Sequence, residues 1–124
     1  MPIGSKTILI VEDEPLVRFD LIDLFEHAGW RVFDAGNADE AIAILDGHKE
    51  IRAVLTDVQM PGSMDGVKLA HYVRDRFPPT VLFVVSGNVP IPQHELPVRT
   101  TFLSKPFDHH RLLRQLEAGS AQNM

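Results

Sequence analysis

The chain has 124 residues, 44% hydrophobic and 23% charged, with a formal net charge of −5 and no cysteine. That length suits one domain with its own core, and the composition is that of a folded chain rather than a disordered one. The negative balance argues against a nucleic-acid or anionic-membrane surface, the missing cysteines exclude disulfides and thiolate metal sites, and no run approaches the roughly 20 apolar residues of a membrane span.

In chain order, apolar β-branched runs alternate with helical periodicity five times. Ile8–Val11 predicts a first strand. Pro15 then suits a first helical turn, and Val17, Leu21, Leu24, Phe25 and Ala28 recur on one face before Gly29. Arg31–Phe33 predicts a short edge strand. Asn37 with Glu40 resembles a capping box for a helix that buries Ala38, Ala41, Ile42 and Leu45 up to Gly47. Ala53–Thr56 predicts the third strand, and Asp65 caps a helix carrying Leu69, Ala70, Val73 and Phe77, stopped by Pro78 and Pro79. Thr80–Val85 and Thr101–Leu103 predict strands four and five. A last helix is expected from near Phe107 to Gly119, with Leu112, Leu113 and Leu116 inward. The segment 88–97 holds Pro90, Pro92 and Pro97 where a fourth helix would fall, so at most one or two turns are expected around Pro92–Leu96.

Four of the strands are nearly continuous in apolar character, which means burial on both faces, as in a parallel sheet covered by helices. Right-handed βα units then predict an α/β fold, a doubly wound, five-stranded parallel sheet in a flavodoxin-like three-layer sandwich with a shortened Pro-rich fourth helix; in the order 2-1-3-4-5 of such sheets, the first and third strands are neighbours. One domain is expected over 1–124, with its core over about 7–118 and a flexible tail over 119–124. The opening Met1–Lys6 lacks the apolar stretch of a signal peptide, and a cytoplasmic location is expected.

The chemistry lies at the strand ends. Glu12 and Asp13 follow the first strand, Asp57 the third, Ser86 the fourth and Lys105 the fifth. The switch in strand order would gather them in one crevice. Three close carboxylates repel unless protonated, spread apart or bridged by a cation, and a hard ion such as magnesium suits them. Asp57 can then act as a nucleophile toward an activated phosphoryl group, with Lys105 and the Ser86 hydroxyl neutralising its oxygens. Asp13 also competes for the cap of the first helix. The six histidines lack metal-ligand spacing, and the adjacent His109 and His110 are expected at the surface.

These motifs together resemble the receiver domain of two-component response regulators: Val11-Glu12-Asp13-Glu14, Leu55-Thr56-Asp57-Val58-Gln59-Met60-Pro61 with Met64-Asp65-Gly66, Val85-Ser86-Gly87, and Lys105-Pro106-Phe107. The resemblance runs from Thr7 to about Leu116. It implies that Asp57 is the phosphoacceptor and that Glu12, Asp13, Asp57 and the backbone carbonyl of Gln59 hold Mg2+. It further implies a cis Lys105–Pro106 bond and a switch made of Ser86 and Phe102. Gly62-Ser63 makes the loop after Asp57 one residue longer than the common family form, a variant that resembles stand-alone receivers of alphaproteobacteria.

The expected function is therefore a single-domain response regulator, chemotaxis-receiver-like and not an enzyme, though it would assist its own Mg2+-dependent aspartyl phosphorylation and dephosphorylation. It would take a phosphoryl group from a phosphohistidine on a sensor histidine kinase or a histidine phosphotransfer protein. It would then signal to a downstream protein by a conformational change, or act as a phosphate sink, with no nucleic-acid or membrane partner. The alternative is a pseudo-receiver, an interaction module that keeps the fold without phosphorylation. A metal-dependent phosphatase would want an acid two residues after Asp57, where Gln59 stands. A flavin module is disfavoured by a negative crevice.

Overall fold

A computed structural model of the protein describes residues 6–60, 62, 64–87 and 90–122, with the backbone alone for 119–122. Five parallel strands, β1 (Thr7–Val11), β2 (Arg31–Ala35), β3 (Ala53–Asp57), β4 (Val81–Ser86) and β5 (Thr100–Ser104), form one sheet of order β2-β1-β3-β4-β5. Four helices connect and flank them: α1 (Pro15–His27), α2 (Ala38–Gly47), α3 (Gly66–Arg76) and α4 (His109–Gln122). The predicted architecture is the observed one. The strands differ from the expected apolar runs by one or two residues at their ends, mostly because the ladder continues into flanking polar residues; Asp57, for example, still pairs with Val85.

The near-continuous apolar strands are explained by two separate cores. Successive strand residues point to opposite faces. Leu9, Val11, Val54, Leu82 and Val84 pack with α2 and α3 on one side. Ile8, Ile10, Ala53, Leu55, Phe83 and Val85 pack with Leu21 and Phe25 of α1 and with Leu112 and Leu116 of α4 on the other. Trp30 is buried in the second core, edge-on to Phe25, just before β2 begins and so at the end of the sheet opposite Asp57.

The helix starts follow local chemistry. Asn37 accepts from the Glu40 N–H at 2.9 Å, while the Glu40 carboxylate reaches back to the Gly36 N–H at 2.9 Å. Asp65 accepts from the Lys68 N–H at 2.9 Å. Two expectations are corrected. The α1 cap is Glu14, not Asp13; the Glu14 side chain accepts from the Leu16 N–H, because Pro15 at N1 places Glu14 at the helix boundary. The last helix begins at His109, not near Phe107, since Asp108 accepts from the His110 and Arg111 N–H groups, and it runs through Gly119 to Gln122 instead of stopping there. Residues 123 and 124 of the expected tail lie outside the described residues.

Among its described residues the Pro-rich segment contains a single 3-10 turn, Gln93–Glu95, in place of a helix. It is tied to α3 where the His71 ring meets the Glu95 carbonyl at 2.8 Å, and Leu96 and Ile91 pack onto the first core. Asn88 and Val89 of that segment, and Pro61 and Ser63 of the lengthened loop, lie outside the described residues. Among the described residues no helix is long and apolar enough to cross a membrane.

Candidate functional site

β1 and β3 are neighbours, and in parallel register Val11 sits beside Thr56, so the residues just beyond them, Glu12 and Asp57, emerge together. Carboxylate oxygens of Glu12, Asp13 and Asp57 lie within 4.8 Å of one another. Glu12 is almost wholly buried and Asp57 largely so, whereas Asp13 is exposed at the rim. From β5, across β4, the Lys105 ammonium reaches to 3.2 Å from Glu12 and 3.5 Å from Asp57.

Burial lifts the Glu12 carboxyl above the ordinary carboxylate range, and the Asp57 charge adds to the lift; the Glu14 N–H, donated to Glu12 at 3.1 Å, and Lys105 oppose it. Desolvation outweighs the ion pair here because both carboxylates compete for one ammonium. At Lys105 the balance runs the other way. Burial lowers its pKa, but the charges of Asp57 and Glu12 overcome that and raise it, so the side chain stays cationic. Such a donor set, carboxylates in excess over one ammonium, fits a hard divalent cation that prefers oxygen ligands.

Ser86 is buried at the end of β4, and its carbonyl accepts from the Lys105 N–H at 2.9 Å, which fixes the base of the lysine. Gly87 leaves the Lys105 stem at ordinary contact distance. Gln59 lies two residues beyond β3 in an exposed loop. Phe102 is half-buried on β5 and packs on the first core, the one that also holds Leu96 and Ile91. The Lys105–Pro106 peptide bond is cis. His109 and His110 are exposed, as expected.

One essential residue was visible in the sequence only as part of a motif. A Cβ on Gly66 would lie 1.9 Å from the Asp57 carbonyl oxygen and 2.9 Å from the Val58 Cα. The start of α3 is pressed against the end of β3, where the Gly66 N–H donates to the Val58 carbonyl at 2.9 Å. Only glycine permits that approach, and the approach sets the backbone that carries Asp57.

A cavity of about 360 Å³ opens beside the carboxylates, between α1 and the start of α4; Val17, Leu21 and Phe107 line its apolar side and Asp57 and Lys105 its polar side. The site is thus a charged crevice, with one cationic side chain directed at a buried pair of carboxylates and a donor set that suits a cation.

Comparison with known proteins gives a consistent outcome. The family model described as response regulator receiver domain matches residues 8–117. The chain is 34% identical over 113 residues to the sensor kinase CckA of Brucella abortus, a match that covers 88% of this chain and 12% of the kinase. It is 30% identical to the response regulator receiver protein CpdR of the same organism, covering 90% of this chain and 94% of CpdR. Among solved structures, a response regulator receiver protein from Sinorhizobium medicae superposes with a TM-score of 0.89 over 97% of this chain and 98% of its own, at 23% identity, a likeness of fold.

Proposed function

This chain belongs to the response regulator receiver domain family, and from that premise we propose that it accepts a phosphoryl group on Asp57 from a phosphohistidine of a sensor histidine kinase or a histidine phosphotransfer protein. The observation that carries the reading is the Lys105 ammonium between Glu12 and Asp57, beside carboxylate oxygens gathered within 4.8 Å. A solvated surface charge would not be drawn into such a cluster.

In the transfer, an Asp57 carboxylate oxygen forms a bond to phosphorus as the phosphorus–nitrogen bond of the donor breaks. The nitrogen keeps the electron pair and the donor imidazole takes up a proton. Such transfers need alignment and charge neutralisation more than covalent assistance. Lys105 neutralises one phosphoryl oxygen, at the cost of loosening its contacts to Glu12 and Asp57, and the Ser86 hydroxyl donates to another. Glu12, Asp13, Asp57 and the Gln59 carbonyl would hold Mg2+, which would supply the remaining positive charge. The product carries about 1.5 to 2 negative charges and new acceptors on the β3–β4 edge. Ser86 moves toward them, and Phe102 follows into the space released, which carries the change to the face that holds the Pro-rich segment.

The test is phosphoryl transfer from purified histidine kinases, followed by radiolabel. Wild-type protein is expected to be labelled in an acid-stable, alkali-labile form only when Mg2+ is present, and Asp57→Asn to remain unlabelled. Equal label on Asp57→Asn would overturn the assignment. Mg2+-independent binding of a partner by an unlabelled wild type would favour the pseudo-receiver.

A further inference from the structure

We propose that Arg18 is a positioning residue for the acidic pair, holding Glu12 and Asp13 at the geometry that Mg2+ requires; this rests on the Mg2+ reading above. Arg18 lies on the first turn of α1 and bridges two elements. Its Nη1 donates to the Glu12 backbone carbonyl at 2.8 Å, and its Nε pairs with the Asp34 carboxylate of β2 at 3.3 Å. The same stretch of backbone is held from the other side, where the Glu12 N–H donates to the Ala35 carbonyl at 3.0 Å. The peptide groups flanking Glu12 are therefore clamped between α1 and β2, and the side chains of Glu12 and Asp13 leave from a fixed frame.

The neighbourhood is shaped for this contact. A Cβ on Gly36 would stand 3.2 Å from the Arg18 Nη1, tighter than ordinary packing, so glycine leaves the room in which the guanidinium reaches Glu12. Glu40 holds the Gly36 N–H and keeps that turn in place. The Arg18 side chain is partly buried and touches neither Asp57 nor any carboxylate of the cluster among its described contacts. Its influence on the metal runs through the Glu12 backbone.

That route has a sign of its own. Removing a positive charge near an acidic site strengthens cation binding through space, whereas loosening an outer support of metal ligands weakens it, typically by 10- to 100-fold. Mg2+ affinity by isothermal titration is therefore measured for wild type, Arg18→Met, Arg18→Lys and Gly36→Ala, beside urea unfolding of each metal-free protein. Arg18→Met is expected to bind Mg2+ about tenfold more weakly. Arg18→Lys, which can keep one of the two contacts, is expected between it and wild type, and Gly36→Ala is expected to weaken binding with Arg18 still present. Unchanged or tighter Mg2+ binding in Arg18→Met, with wild type binding normally, overturns the inference even if the variant is less stable. Absence of Mg2+ binding by wild type overturns the Mg2+ reading and this inference together.

Discussion

At the carboxyl end of the strands three carboxylates face one ammonium, whereas at the amino end of β4 and β5 one buried guanidinium donates to four main-chain oxygens. Arg74 of α3 donates to the carbonyls of Val98 at 2.9 Å, Pro78 at 2.5 Å, Thr80 at 2.8 Å and Arg99 at 3.0 Å. It closes the chain where it enters β4 and β5, and Arg99, at a φ of 59°, is held in the left-handed region within the same turn. Burial lowers the Arg74 pKa, with Arg99 adding to the effect, yet the group remains charged because guanidinium is so basic. A buried charge held by main-chain oxygens where the chain enters two strands is architecture. A buried charge cluster whose balance is incomplete waits for something from outside, and this contrast separates the structural end of the sheet from the reactive one.

The largest effect is expected at the Arg74 end. Arg74→Met strands several carbonyls with no donor, and roughly 3 to 4 kcal/mol of stability should be lost in urea unfolding, to the same extent with and without Mg2+. A loss that Mg2+ repairs would break the contrast. Next is Gly66→Ala at the reactive end, where the added methyl group meets the Asp57 carbonyl. About 2 to 3 kcal/mol should be lost, and phosphoryl transfer should fall even under conditions in which the variant is folded. Wild-type transfer from a folded Gly66→Ala protein would show that the approach of α3 to β3 does not set the acceptor.

A gain is expected from Asp57→Asn. Relieving repulsion with Glu12 should raise metal-free stability by about 1 kcal/mol and shrink the additional stabilisation by Mg2+. A variant less stable than wild type without metal would mean that the Lys105 pair outweighs the repulsion.

The smallest effect is a pH slope. Glu12 has a raised folded-state pKa, so the native state holds that proton more tightly than the unfolded chain does. Its protonation contributes fully below the ordinary carboxylate range, and the contribution disappears as pH rises through the raised value. In chelator, wild-type stability should fall with rising pH across that window relative to Glu12→Gln. Glu50 and Asp108, whose carboxyls are lowered by backbone hydrogen bonds, slope oppositely but are present in both proteins and cancel in the difference. Parallel wild-type and Glu12→Gln profiles would contradict the burial account.

How much of this was legible can be traced residue by residue. The parallel sheet covered on both faces followed from apolar runs too continuous for a one-faced sheet, and the set of crevice residues from the strand ends, since both are read along the chain; the order 2-1-3-4-5 came in part from the family resemblance. The capping of α2 by Asn37 and of α3 by Asp65 was local and correctly placed. The cap of α1 was not: Asp13 and Glu14 are both competent, and only the backbone at Pro15 chose between them. The end of α4 was missed because Gly119 stops a helix by preference, not by prohibition.

Arg18, Gly66 and Arg74 mark the boundary of what a sequence tells. Nothing in the spacing of Arg74 distinguishes it from the solvated arginines around it, for its four acceptors belong to segments up to 25 residues away. Gly66 is demanded by a backbone contact, and Arg18 by a bridge between α1 and β2. Residue type and periodicity determined the elements, their order and the set of reactive groups, because these depend on neighbours along the chain. Which charges are balanced and which are left open depends on distances across the fold, and only packing in three dimensions decided that.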